Sequence, residues 1–213
     1  MPTITKILPQ KKRPNRRNIY LDGVFAFGLN DNVVARFRLR EGLKITDEQV
    51  EQIAKGEVRQ ECFDDAMKYL QSRMHSRAEL RQKLLRREFA EPIIEGILDD
   101  LTRLGYLDDA KFATAKAQSA ADRKHHGRRR AYMELMKSGV KKEVANQVLE
   151  NVYSQTDSTA TARTLIEKKL PAMKRLESIV ARRRLAGMLM RRGFDYETIK
   201  PLIDKALGNQ NDD

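Results

Sequence analysis

Tryptophan is absent from this sequence, aromatic residues make up only 6%, and cysteine occurs once, at Cys62. A single thiol can neither form an internal disulfide nor build a cysteine-rich zinc site, which excludes a stapled secreted scaffold and fits a reducing interior. No apolar run approaches the roughly 20 residues that a membrane helix needs. The first residues, Met1 to Lys6, lack the apolar core of a secretory signal. The expectation is a soluble, cytoplasmic protein without a membrane partner. Gly-x-x-x-x-Gly-Lys-Ser/Thr, Gly-x-Ser-x-Gly and His-Glu-x-x-His are all missing, so the usual phosphate loop, nucleophile elbow and metalloprotease helix are excluded. Acid is also in short supply: 30 Asp and Glu stand against 42 Lys and Arg, a formal net charge of +12 over 213 residues. A basic surface attracts polyanions before any specific contact forms, so nucleic acid, or a protein carrying it, is the first candidate partner.

Composition changes near residue 60. Ile4 to Leu8 alternates apolar and polar residues, and Ile19 to Leu21 is followed by Asp22-Gly23 and then Val24 to Phe27. Asp-Gly between apolar runs is a hairpin signal, because glycine tolerates the positive φ of a two-residue turn. Gln10 to Arg17 reads as a polar basic loop between strands. Val33 to Leu39 and Thr46 to Ala54 read as helices, the second with an N-cap threonine and an acidic first turn. Residues 1–58 are therefore expected to form a β-hairpin and helix appendage.

From Cys62 onward the pattern is helical, and it repeats. Leu84, Leu135 and Leu189 lie 51 and 54 residues apart; five positions later come Phe89, Val140 and Phe194, and thirteen later Ile97, Val148 and Leu202. Gly139 and Gly193 precede the second and third apolar markers, where a left-handed residue would end a helix. Glu88 holds that place in the first copy, a weaker match. Each copy predicts three helices. The first of each falls at Phe63–Arg73, Ala110–Arg123 and Thr159–Lys169, the second at Ser76–Arg87, Gly127–Lys137 and Leu176–Arg192, and the third at Glu91–Leu104, Lys141–Tyr153 and Tyr196–Leu207. The fold class is thus mainly α: an elongated tandem array of three three-helix repeats, at 59–107, 108–156 and 157–208, with a disordered tail at 209–213.

Several ordered stretches carry a resemblance. They are Ser76-Arg77-Ala78-Glu79-Leu80, then Gly105-Tyr106-Leu107-Asp108-Asp109 with Phe112-Ala113, then Gly127 and Glu134-Leu135 with Gly139-Val140. In this order and over about residues 62–152 the chain resembles the RecX family, and more weakly from 153 to 207. The resemblance implies a regulator that lies in the groove of the RecA–DNA filament and opposes its growth. It would thereby damp ATP hydrolysis and strand exchange in DNA repair, recombination and the SOS response. It implies no enzymatic activity, no cofactor and a monomer, with contact to single- or double-stranded DNA in some members.

The candidate contact residues are the basic clusters at the starts and ends of the second helices. They are Arg77, Arg81, Arg86 and Arg87; then Arg123, Lys124, Arg128, Arg129 and Arg130; then Arg182, Arg183, Arg184, Arg191 and Arg192. Successive helical residues turn by roughly 100°, so only part of a triplet such as Arg128–Arg130 can face one groove; a solvated helix face is the plain alternative for any one of them. His125 and His126 are adjacent and have no third ligand at metal-like spacing, so no metal is expected. Asp64-Asp65, Asp99-Asp100 and Asp108-Asp109 are neighbours that diverge on a helix, and Asp108 suits a helix cap better than catalysis. Tyr69, Tyr106, Tyr132, Phe89, Phe112 and Phe194 fall at core spacing, and Phe25, Phe27 and Phe37 are placed to pack the hairpin on its helices. A directly DNA-binding module, without RecA, is the competing function.

Overall fold

The computed structural model describes residues 1–208, so the expected tail at 209–213 lies outside the described residues. The fold is mainly α, with a three-stranded sheet followed along the chain by three three-helix repeats. It divides into two compact units, residues 1–73 with 80–106, and residues 74–79 with 107 onward.

In the first unit the strands β1 (Ile4–Gln10), β2 (Arg13–Leu21) and β3 (Val24–Asn30) form an antiparallel sheet in the order β1-β2-β3. Leu21 pairs with Val24 across Asp22 and Gly23, whose φ values of 48° and 87° make the tight turn that the Asp-Gly signal predicts. The inner row Ile7–Ile19–Phe27 packs with Ile4, Leu29, Val33, Ile45 and Ile53. The expected basic loop at Gln10–Arg17 is a correction: most of it is strand β2. Its arginines find acids on the following helices, α1 (Asp31–Arg36) and α2 (Asp47–Ser72). Arg17 makes a two-pronged pair with Asp31. Arg16 reaches Glu57 at 2.9 Å and Glu61 at 3.1 Å. The buried Glu57 also accepts the Asn30 amide; burial pushes its carboxyl up, against that hydrogen bond and the Arg16 charge.

Helix α2 corrects a second expectation. Thr46–Ala54 and Phe63–Arg73 are parts of one 26-residue helix, because no glycine turn or proline separates them and Gly56 is a close contact. A Cβ at Gly56 would lie 2.6 Å from the Phe37 ring. Thr46 and Gln49 close a reciprocal capping box at its start. Cys62 and Ala66 of α2 are buried, as are Leu80 and Leu84 of α3 (Arg77–Leu85) and Ile94, Ile97, Leu98 and Leu101 of α4 (Glu91–Arg103). Burial pushes the Cys62 thiol up to about 11, so it stays protonated and inert at neutral pH.

The second unit contains α5 (Asp109–Gln118), α6 (Arg128–Lys137), α7 (Lys142–Ser154), α8 (Ser158–Lys169), α9 (Ser178–Arg191) and α10 (Tyr196–Leu207). Two apolar clusters fill it. One gathers Phe112, Leu135, Val148 and Leu149, the other Ile166, Leu185, Leu189, Phe194 and Ile203. The helices expected at Ala110–Arg123 and Leu176–Arg192 are shorter than their sequence pattern. The first gives way to a π-turn at Ser119–Arg123, and the second starts at Ser178.

Within this unit one contact occurs twice. The turn between α6 and α7 holds Gly139 at φ 71°, against Ala78 at the start of α3: a Cβ on Gly139 would lie 2.3 Å from the Ala78 Cβ. Ser76 accepts the Glu79 amide and donates its hydroxyl to the Ser138 carbonyl. The turn between α9 and α10 holds Gly193 at φ 87°, against the start of α6: a Cβ there would lie 2.3 Å from the Arg130 nitrogen. The Gly127 amide donates to the Arg192 carbonyl at 2.8 Å. Ser138 and Arg192 are equivalent positions, as are Ser76 and Gly127, so the same turn meets the same helix start at both junctions, through a serine hydroxyl in one and a backbone amide in the other. Glu88, the equivalent of both glycines in the first repeat, takes the same left-handed backbone at φ 63° and is exposed.

The aromatic expectations hold for most residues. Phe112 and Phe194 are buried, Tyr69, Phe89 and Tyr132 are half-buried, and Phe27 and Phe37 pack on the sheet core. Tyr106 is instead 56% exposed and Phe25 54% exposed. Each lies beside a tight turn, where a helical or strand period no longer directs the side chain inward. Replacing Gly139 by Ala adds a left-handed Cβ and an atomic overlap, and Gly139→Ala is expected to cost about 2–4 kcal/mol. Glu88→Gly, with the same backbone but no packed neighbour required, should stay within about 1 kcal/mol of wild type. Urea midpoints measure both, and an unchanged midpoint for Gly139→Ala would remove the close approach.

Candidate partner interface at the repeat junctions

The fourteen basic candidates separate into three kinds of environment. Arg81 lies between Glu95 at 2.8 Å and Glu91 at 2.9 Å, and Arg87 meets Asp65 at 3.0 Å. Arg182 pairs with Asp204 of α10. These three guanidinium groups tie one helix to another. Arg77 begins α3, where its amide donates to Asp109. Arg86, Arg183 and Arg184 are exposed, with no acidic partner among the described residues.

The other seven converge at the Gly127–Gly193 junction. The π-turn carries Arg123, whose guanidinium bonds Ser119, and the chain continues through Lys124, His125 in a left-handed conformation and His126. Gly127 then caps α6 without a side-chain bond, so Arg128, Arg129 and Arg130 form the first helical turn. Arg191 and Arg192 end α9. Arg192 donates to the Lys124 carbonyl at 3.0 Å, and the two glycine contacts hold the α9 turn against the α6 start. Cations of the second and third repeats, more than 60 residues apart in sequence, are thus brought to one junction, where the roughly 100° turn per residue lets only part of Arg128–Arg130 face the same way. Arg128 is only loosely paired with Glu150 at 3.6 Å and Arg130 with Glu134 at 3.7 Å. Arg129 and Arg191 are exposed without an acidic partner among the described residues. The helix start adds partial positive charge to the same place.

Beneath this surface is a polar cluster. Glu134 is held by Lys124 at 3.0 Å and lies 3.1 Å from His126 Nδ1, which is not aligned for a hydrogen bond. Tyr153 donates its hydroxyl to the His126 carbonyl at 2.7 Å, and burial first, then the charges of Glu134 and Asp122, push that phenol up to about 12. Burial also pushes the His126 imidazole below its ordinary value, Glu134 pulling it back and Lys124 and Arg130 adding to the fall. The imidazole is therefore neutral at pH 7, and Lys124 is the cation that Glu134 holds. For Glu134 itself burial raises the carboxyl, but the Lys124 hydrogen bond and charge, with His126 and Arg130, leave it below the usual carboxylate range.

Sequence reasoning found the clusters but not their union, because the signal is a pair of glycines 66 residues apart, each explicable alone as a helix stop. Four of the paired acids make structural contacts. Asp108 caps α5 through the Ala110 and Lys111 amides, Asp109 caps α3, Asp100 binds Arg59 and Arg103, and Asp65 binds Arg87 and Lys68. Among the described residues no three of His, Cys, Asp and Glu group as metal ligands, and no helix is long and apolar enough to cross a membrane. A groove of about 700 Å³ in the first unit is lined by both signs, including Arg16, Arg87, Glu61 and Asp65. Its charges are largely paired with one another, so it offers no single-sign surface.

A carboxyl lowered by folding holds stability that is full above its unfolded pKa and is lost as pH falls through the folded one. The stability carried by Glu134 should therefore fade on acidification below about 4.5. Glu134→Gln should lower the urea midpoint at neutral pH and show a smaller drop between about pH 6 and about pH 3. Parallel pH curves for the two proteins would show that Lys124 does not hold this carboxylate.

Comparison with known proteins places these features. Family profiles match in four parts: the regulatory protein RecX N-terminal domain over residues 2–46, and the first, second and third RecX three-helix domains over 62–101, 108–149 and 155–203. Regulatory protein RecX of Bacillus subtilis (strain 168) is 30% identical over 205 residues, covering 96% of this chain and 77% of its own length. The Bacillus licheniformis protein of the same name is 31% identical over 213 residues, covering 100% and 80%. A crystal structure of regulatory protein RecX superposes with a TM-score of 0.81 at 23% identity, covering 96% of this chain and 100% of that one. RecX from Lactobacillus salivarius gives 0.64 at 21% identity, covering 71% and 97%, and these two likenesses bear on the fold. By its relatives and by its domain profiles, this chain belongs to the RecX family of regulatory proteins.

Proposed function

We propose that this chain binds the RecA–DNA filament through its basic repeat surfaces and opposes filament growth, and so lowers ATP hydrolysis and strand exchange in DNA repair and recombination. Family membership directs the reading to RecA. The observation that carries the contact surface is the junction itself, where seven cations of two repeats lie around one pair of glycine turns. Arg129 and Arg191 keep their charge unspent there, so an acidic protein surface or a phosphate meets them without breaking an internal pair. Arg81, Arg87 and Arg182 contribute by holding the helices together, since their guanidinium groups are already engaged. Direct action on DNA is a second reading, favoured by the exposed Arg183 and Arg184, which have no acidic partner among the described residues.

RecA's DNA-dependent ATP hydrolysis, titrated with this protein at two salt concentrations beside matched binding to bare DNA, separates the two. Filament regulation predicts loss of hydrolysis at amounts well below RecA, with weaker binding to bare DNA. Unchanged hydrolysis, together with bare-DNA binding that falls steeply with salt through counterion release, would favour the DNA module. The double variant Arg129→Ala with Arg191→Ala should require roughly tenfold more protein for half-inhibition, about 1.4 kcal/mol, at unchanged folded stability. Arg81→Ala should chiefly lower the urea midpoint.

A further inference from the structure

The outer face of the N-terminal sheet has no role in the reading above, and its composition is unusual for this chain. Residues 1–30 carry six Lys and Arg against one acid, Asp22. That acid is already used, accepting the Thr3 amide at 3.0 Å. Arg16 and Arg17 turn to the acids of α1 and α2. Lys6, Lys11, Lys12 and Arg13 remain exposed, with no acidic partner among the described residues. Ile7, Ile19 and Phe27 pack inward, and a bulge at Ala26 sets Phe25 opposite Tyr20, so the neighbouring cross-strand row Lys6–Tyr20–Phe25 lies on the outside. There Tyr20 and Phe25 meet edge to face, with ring centroids 5.9 Å apart and planes at 76°. An edge-to-face pair leaves ring faces uncovered, and Phe25 is 54% exposed. In the next row Leu8 and Asn18 face Gly28. Gln10 bonds Asn18 and lies where a Cβ on Gly28 would be, 2.6 Å away. The face is therefore open aromatic at one end, amide in the middle and cationic at the Lys11–Arg13 turn.

We infer that this outer sheet face is a surface for single-stranded nucleic acid, on which Phe25 and Tyr20 stack unpaired bases while Lys6 and the Lys11–Arg13 turn meet the phosphates. Every base has a π-face, so stacking on aromatic side chains is tolerant of sequence, and nearby cations track the backbone. About five residues of strand separate the aromatic row from the basic turn, roughly 17 Å, which an extended strand spans and one phosphate does not. A duplex keeps its bases stacked on each other and offers Phe25 no face. Lys6, Lys11 and Lys12 have no acidic partner among the described residues, while Arg13 also borders the mixed-charge groove and Glu41 accepts the Ile7 amide at the sheet edge. The excess of cations favours a polyanion over a protein patch, which would be expected to carry apolar area and balanced charge. The sheet belongs to the first unit and the repeat junction to the second, and the proposed binding does not depend on RecA.

The absence of tryptophan supplies the reporter. Phe25→Trp places the one indole of the chain on this face, and binding of a short oligodeoxythymidylate should strongly quench its emission. An abasic oligonucleotide with the same number of phosphates, and a duplex of the same length, should leave the emission nearly unchanged at equal saturation of the protein. Phe25→Ala should weaken strand affinity about five- to tenfold without changing the circular dichroism or urea midpoint, since stacking contributes about 1–3 kcal/mol per base. Replacing Lys11, Lys12 and Arg13 by Gln should flatten the salt dependence by about 2 in its slope, at ~0.7 per phosphate contact. Equal quenching by the abasic strand, quenching by anionic phosphatidylserine vesicles and not by the oligonucleotide, or unaltered strand affinity in Phe25→Ala would each overturn the assignment. None of these readouts contains RecA, so their failure is distinct from a failure to lower its ATP hydrolysis.

Discussion

Backbone must meet backbone where one repeat begins upon the turn of the next, and much else in the second unit depends on that approach. Helix starts carry unpaired amides, and helix ends carry unpaired carbonyls. Placing the Gly127 amide on the Arg192 carbonyl satisfies one of each with a single bond. At the other junction the Ser76 hydroxyl does this in two bonds, accepting the Glu79 amide and donating to the Ser138 carbonyl. Such proximity leaves no space for a Cβ on the turn, and the turn also needs a positive φ. Both demands fall on the same residue, which is why glycine stands at 139 and 193. Glu88 meets only the second demand: its backbone is left-handed, its side chain is exposed, and so glycine is not required. What looks like imperfect repetition in the sequence is the repeat obeying two constraints in two copies and one in the third.

The junction also decides how the positive charge is distributed. A net charge of +12 says nothing about where free cations stand, and a basic residue is as often a strut as a contact. Arg81, Arg87 and Arg182 are struts, each bound to a carboxylate on another helix. Around Gly127 the acids are fewer than the cations. Glu134 is taken by Lys124, and Arg130 is left at 3.7 Å from it, too long for a strong pair. Exposed pairs of that length contribute little. The surplus that remains belongs to the surface rather than to the fold.

Much of this architecture was legible beforehand, for a definite reason. Leucine spacing across 51 and 54 residues survives because each repeat buries the same positions, Leu84, Leu135 and Leu189, completely. The Asp22-Gly23 turn was legible because only a narrow class of residues accepts its dihedrals. Illegible features have long-range causes. Gln10–Arg17 has the composition of a loop, but β2 is the central strand, paired on both sides, and carboxylates 14 to 45 residues away receive its arginines. The continuity of α2 follows from Phe37 covering Gly56, which local pattern does not reveal. Tyr106 and Phe25 sit where periodicity ends, so spacing misplaced them in the core. The basic clusters were visible one by one, but their union was not, since it depends on two glycines that each have a sufficient local explanation.

That last point bears on how binding and stability are related in this chain. If the contact surface were a row of cations along one helix, its geometry would be as rigid as the helix and indifferent to the junction. Here Arg128–Arg130 and Arg191–Arg192 are set relative to one another by the Gly127–Gly193 approach and by the polar cluster of Glu134, Lys124, His126 and Tyr153 beside it. Lys124 takes part in both, since its ammonium holds Glu134 while its carbonyl accepts Arg192. A change at either glycine therefore alters the spacing of cations without altering their number. A partner with a fixed spacing of acidic groups would sense that change, whereas a diffuse polyanion, which responds mainly to charge, would sense it far less. On the proposed reading, geometry at the junction, more than the count of arginines, would let such a surface favour an ordered assembly over bare nucleic acid.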